Sequence, residues 1–127
     1  MTAPASGRYA SEDTHGGFEV ATRALLVLTT CGTPAAAERL ARALVSERLA
    51  ACVNRIDGVT SCYRWKGEVE EADESLLVIK TTEDRYAAVE RAIRQQSDYE
   101  LPEVVAVGVE RGLPDYLAWI RESLEKA

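Results

Sequence analysis

Apolar residues along this chain follow two different periods, and where one gives way to the other the elements can be drawn. Ala24 to Thr30 (ALLVLTT) is a continuous apolar run of strand length. Cys31-Gly32 turns the chain, and Thr33-Pro34 carries the cap and first-turn residues of a helix. Ala37, Leu40, Ala41, Leu44 and Val45 then recur at helical spacing, ending near Arg48. Ala51 to Trp65 reads as one long strand bent at Gly58, because a glycine inside a strand pattern marks a bulge. The chain reverses at Lys66-Gly67, and the returning strand ends in Leu76-Leu77-Val78-Ile79. Such an unbroken run predicts a central strand covered on both faces.

Thr82 followed by Glu83 and Asp84 predicts a capped second helix, with Tyr86, Val89 and Ile93 as its apolar stripe and its end by Ser97. Leu101 precedes a proline and so leaves helical geometry, which makes Ser97 to Pro102 a loop. Glu103 to Glu110 is a fourth strand. Pro114-Asp115 opens a last helix bearing Leu117, Ile120 and Leu124.

The predicted class is α+β, a ferredoxin-like β-α-β-β-α-β antiparallel sheet plus a C-terminal helix. Its right-handed crossovers put the first and third strands in the middle and the second and fourth at the edges. Residues 1–19, rich in small, polar and charged types, read as a disordered N-terminal tail, and residues 20–127 as one domain. On the edge strand Tyr63 and Trp65 share one face. Two large aromatics at an edge call for a partner chain.

Composition narrows the chemistry. With 46% hydrophobic and 28% charged residues in 127, a core without metal or disulfide staples is expected. A net charge of −6 argues against a nucleic-acid partner, and the central strands lack the aromatic and basic residues an RNA-binding sheet needs. No run is long enough to span a membrane and no secretory signal is visible, so the expectation is a cytoplasmic protein. Cys31, Cys52 and Cys62 form no CxxC pair, and Cys52 and Cys62 are expected to be buried thiols. The one histidine, His15, lies in the tail, which removes histidine-based mechanisms from the domain. The acids Glu68, Glu70, Glu71, Asp73 and Glu74 read as a solvated hairpin surface.

The segments LAAC at Leu49, CYRWKGEVEE at Cys62, IKTT at Ile79, YELPE at Tyr99 and DYLAWI at Asp115 resemble, in order and spacing, the CutA family of divalent-cation tolerance proteins. The resemblance covers Ala24 to Leu124. It implies a non-enzymatic homotrimer similar in arrangement to the PII signalling proteins, linked to divalent-ion and copper tolerance. It implies no required cofactor, with a divalent cation of unspecified identity as a candidate ligand. Tyr63, Trp65 and Trp119 are then expected at the trimer interface. Cys52, Trp65, Lys80, Tyr99 and Glu103 are expected to line an intersubunit cleft suited to a small anionic or zwitterionic ligand. The family's proposed copper ligands fall at Thr29, Gln96 and Ser97 here. Those side chains are poor copper donors, so Asp98 and Glu103 are the metal candidates. The competing reading is an enzyme or PII-like module acting on a small anionic metabolite, with Lys80 as cation or base and Glu103 as acid.

Overall fold

The computed structural model describes residues 22–125; the tail, with His15, lies outside them. Four strands and three helices follow the expected order: β1 (Ala24–Cys31), α1 (Pro34–Ser46), β2 (Cys52–Trp65), β3 (Glu68–Thr82), α2 (Tyr86–Gln96), β4 (Val105–Gly108) and α3 (Pro114–Leu124). Every pairing is antiparallel and the sheet order is β2-β3-β1-β4, with β1 and β3 central.

The bend and the reversal have the backbone that their residues predict. The β2–β3 register shifts between Ile56 and Val59, where Gly58 has a φ of 76°. Lys66 and Gly67 have φ of 51° and 86°, the pair of positive values that lets a two-residue turn match the twist of its strands. Beyond Ser75, β3 leaves β1 and continues with β2 alone, as a two-stranded ribbon from Val59/Glu74 to Trp65/Glu68.

Alternation divides the sheet into two unlike faces. Val27, Thr29, Leu77 and Ile79 point one way and are covered by Ala37, Leu40 and Leu44 of α1 and Val89 and Ile93 of α2. At about 25 cal/mol per Å² of apolar surface, this layer supplies most of the folding drive. Among the described residues, the second face is covered at one end only, where Leu117 and Ile120 of α3 pack with Ala24. Over the rest of it Leu26, Leu28, Leu76 and Val78 are half-buried, and Ile56, Val105 and Val107 are exposed. The expectation that Leu76 to Ile79 is covered on both faces therefore fails within one chain.

Three smaller expectations are also corrected. A short 3-10 turn, Glu83–Arg85, precedes α2, and Thr82 donates to the Asp84 carboxylate at 2.5 Å instead of capping backbone. The fourth strand keeps only Val105–Gly108. Cys62 is exposed, because it sits on the ribbon where no helix layer reaches, and Cys52 is half-buried.

Candidate functional site

The expected site residues fall into two groups in a single chain. Cys52 and Lys80 are register partners on β2 and β3. Lys80 Nζ donates to the Tyr116 hydroxyl at 3.3 Å and lies 5.5 Å from that ring's centroid, so α3 supplies its partner. Trp119 stands beside Tyr116, with ring centroids 5.4 Å apart. Trp65, Tyr99 and Glu103 gather near the other end of β3, beyond Glu74. Six residues separate Glu74 from Lys80, roughly 20 Å of strand.

This second group lines a cavity of about 620 Å³ on the second face, between the ribbon and the 97–103 loop. Tyr63 and Asp98 also line it, as do Glu70 and Glu74. Lys66 ties the ribbon to the loop, 3.5 Å from Glu100 and 5.6 Å from the Trp65 ring centroid. Both are exposed, so the ion pair contributes little. The stronger tie is Tyr99, whose hydroxyl donates to Glu74 at 2.6 Å.

That bond moves both groups. Burial, and then the hydrogen bond to Glu74 and its negative charge, push the Tyr99 phenol far above its ordinary value, so it remains a donor at any physiological pH. For Glu74, burial alone would raise the pKa, but hydroxyls of Ser61, Tyr99 and Thr30 together outweigh it and hold the carboxyl below the usual range. A depressed carboxylate adds stability above its unfolded pKa and loses it as pH falls through the folded one. Tyr99→Phe should therefore move the Glu74 titration upward and bring that acid-side loss to a higher pH. Carboxyl-resolved NMR titration measures it; an unmoved Glu74 would show the bond to be unimportant.

Glu70 and Glu74 are the residues that sequence reasoning left on a solvated hairpin. Both are even-numbered on β3, like Leu76 and Val78, and this parity was the available signal that they share a face with the candidate loop.

On the helix side of the sheet an adjoining cavity of about 360 Å³, which shares Thr30, Asp98 and Tyr99 with the first, lies between the end of β1, the start of α1 and the end of α2. Thr29, Gln96 and Ser97, the proposed copper positions, all line it, and so does Cys31. Burial, reinforced by the charge of Glu74 and only partly offset by Arg39, raises the Cys31 thiol above its ordinary value. The thiolate that a soft metal needs is thus disfavoured. A hydroxyl pair, an amide and a neutral thiol do not fit a copper site, which favours thiolate and imidazole. Among the described residues, no three acid, cysteine or histidine side chains lie close enough to hold a metal ion.

Comparison with known families decides the lineage. Residues 25–123 match the model of the CutA1 divalent ion tolerance protein. The chain belongs to the CutA1 family. It is 44% identical over 98 residues to the divalent-cation tolerance protein CutA of Thermus thermophilus, covering 77% of this chain and 95% of that one. It is 45% identical over 96 residues to the human protein CutA, covering 76% of this chain but only 54% of the human one. The chain thus spans about half the length of that relative. The crystal structure of CutA from Xylella fastidiosa superposes with a TM-score of 0.79 at 40% identity, over 82% of this chain and all of the other. Among the described residues no helix is long and apolar enough to cross a membrane.

Proposed function

We propose that this CutA1-family chain is a non-enzymatic, cytoplasmic homotrimer contributing to divalent-cation tolerance through loose carboxylate binding of hard or borderline cations. The observation that carries the reading is the juxtaposition of Asp98 and Glu103 with Glu70 and Glu74 along one cavity. Oxygen donors suit such ions, and with no tight triad in one chain water must complete the shell. Binding is therefore weak and fast. The uncovered aliphatic face supports assembly, since single chains rarely leave so continuous an apolar surface to water. The aromatics Tyr63, Trp65 and Trp119 are assigned to the same assembly, which brings Lys80 and Cys52 of one subunit toward Trp65, Tyr99 and Glu103 of another.

An enzyme using Lys80 and Glu103 is the weaker reading, because Lys80 is already engaged by the Tyr116 hydroxyl.

Sedimentation of the full chain at micromolar concentration should give a trimer; a monomer would refute the assembly. Titration with Mn²⁺ should broaden NMR signals around Asp98 and Glu103 with millimolar affinity, and the Asp98→Asn/Glu103→Gln double variant should abolish it. Calorimetry with Cu²⁺ should show no nanomolar site in protein lacking the His15 tail. Persistent broadening in the double variant, or tight copper binding, would sink the carboxylate reading.

A further inference from the structure

The helix-side cavity shares Asp98 with the carboxylate reading, and on its own side it holds an unanswered polar group. Thr29 shares its face with Val27 and Leu77, toward the helix layer, and is 1% exposed. Its Oγ1 has no hydrogen-bond partner among the described residues. Buried hydroxyls are nearly always paired, so one that is left open beside a cavity points to a group that enters it.

The charges around the cavity are of both signs. The 13-residue α1 begins at its rim, where Thr33 Oγ1 accepts from Ala36 N and Pro34 occupies the first turn. The start of such a helix carries the positive end of its dipole. Arg39, one turn further along, also lines the cavity and forms no ion pair with another described residue. Asp98 supplies a carboxylate from the loop, and Leu40 and Ile93 supply an apolar wall. A simple anion would meet Asp98, and a simple cation would meet Arg39 and the helix start. Both residues are exposed, so water answers either charge, but a ligand carrying both signs meets an attractive partner at each end.

We propose that this cavity binds a small zwitterion, an α-amino acid with an apolar side chain. Its carboxylate faces the start of α1 and Arg39 and accepts from the Thr29 hydroxyl. Its ammonium faces Asp98, and its side chain lies on Leu40 and Ile93. The volume, about 360 Å³, is at the small end of ligand pockets and suits a compact molecule.

The test is calorimetry on the full chain with L-leucine as probe, beside 4-methylpentanoate and isoamylamine, which each lack one of its charges. Leucine should bind saturably with a submillimolar Kd, and each single-charge analogue at least tenfold more weakly. Thr29→Val and Arg39→Gln should each weaken leucine at least tenfold. Thr29→Val removes a hydroxyl without a partner, so its melting temperature should hold or rise, which separates lost binding from lost fold. Absence of saturable leucine binding would overturn the proposal. So would 4-methylpentanoate binding as tightly as leucine, or full affinity in Thr29→Val. The two sites share Asp98, but neither Thr29→Val nor Arg39→Gln alters Asp98, Glu103, Glu70 or Glu74. Mn²⁺ broadening that persists in both variants therefore separates failure of leucine binding from failure of the carboxylate reading.

Discussion

Replacing Val107 with aspartate should convert the proposed trimer into folded monomers. Val107 lies on β4 opposite Leu26 and is 53% exposed in the single chain. A carboxylate there faces water in the isolated subunit, so the fold loses little. In an assembly that covers this face it would be buried without a partner, and each such charge costs several kcal/mol. The cost recurs in every subunit. Sedimentation should show the variant at one third of the wild-type mass with unchanged far-ultraviolet circular dichroism. Val107→Ile, which keeps the surface apolar, should remain assembled. A trimeric Val107→Asp would remove this face from the interface, and with it the main support for how the subunits meet.

Leu77→Ala should be the most damaging single truncation for the subunit itself. Leu77 is fully buried, sits opposite Thr29 in the central pair of strands, and packs into the layer under α1 and α2. Leu→Ala at such sites costs about 2 to 5 kcal/mol from lost burial plus the cavity left behind. Against a total of about 5 to 15 kcal/mol for ordinary proteins, that is a large share. Val69→Ala, on the exposed ribbon, should cost less than about 0.5 kcal/mol. Urea unfolding of both at one fixed protein concentration compares them fairly, because assembly couples stability to concentration. Equal midpoints would mean that the helix-covered layer does not dominate stability.

The architecture was legible because its signals are local. Thr33-Pro34 marks the start of α1, Gly58 the bulge, and Lys66-Gly67 the reversal. What failed depends on which face of the sheet is covered. LLVI reads the same whether its second face meets a helix or a neighbouring copy, and only the positions of α1 and α2 show that Leu76 and Val78 lack a helix above them. Thr82 illustrates the same limit. Its type suits a cap, but Asp84 two residues on offers its hydroxyl a nearer acceptor.

Of the site, Trp65, Tyr99 and Glu103 were expected in one cleft, and Asp98 with Glu103 as metal candidates; all four line one cavity. Lys80 and Cys52 were expected with them, but strand length sets them apart within the chain. Glu74 was hidden among five acids of like appearance, and only register and the reach of Tyr99 single it out. The cavity holding Thr29 was marked in the sequence only by the resemblance, which groups Thr29 with Gln96 and Ser97; the open hydroxyl itself left no trace. An unpaired hydroxyl becomes visible only when its surroundings are.

The ribbon beyond Ser75 has a consequence for measurement. Two strands alone are marginal in water, and here Val59 to Trp65 and Glu68 to Glu74 have only each other for backbone pairing. Their amide protons should therefore exchange with solvent far sooner than those of β1 in a lone subunit. Within a trimer that holds the ribbon, exchange would wait for subunits to part. Deuterium uptake at these amides would then serve as a clock for the lifetime of the complex, while Val27 and Ile79 keep time for the fold.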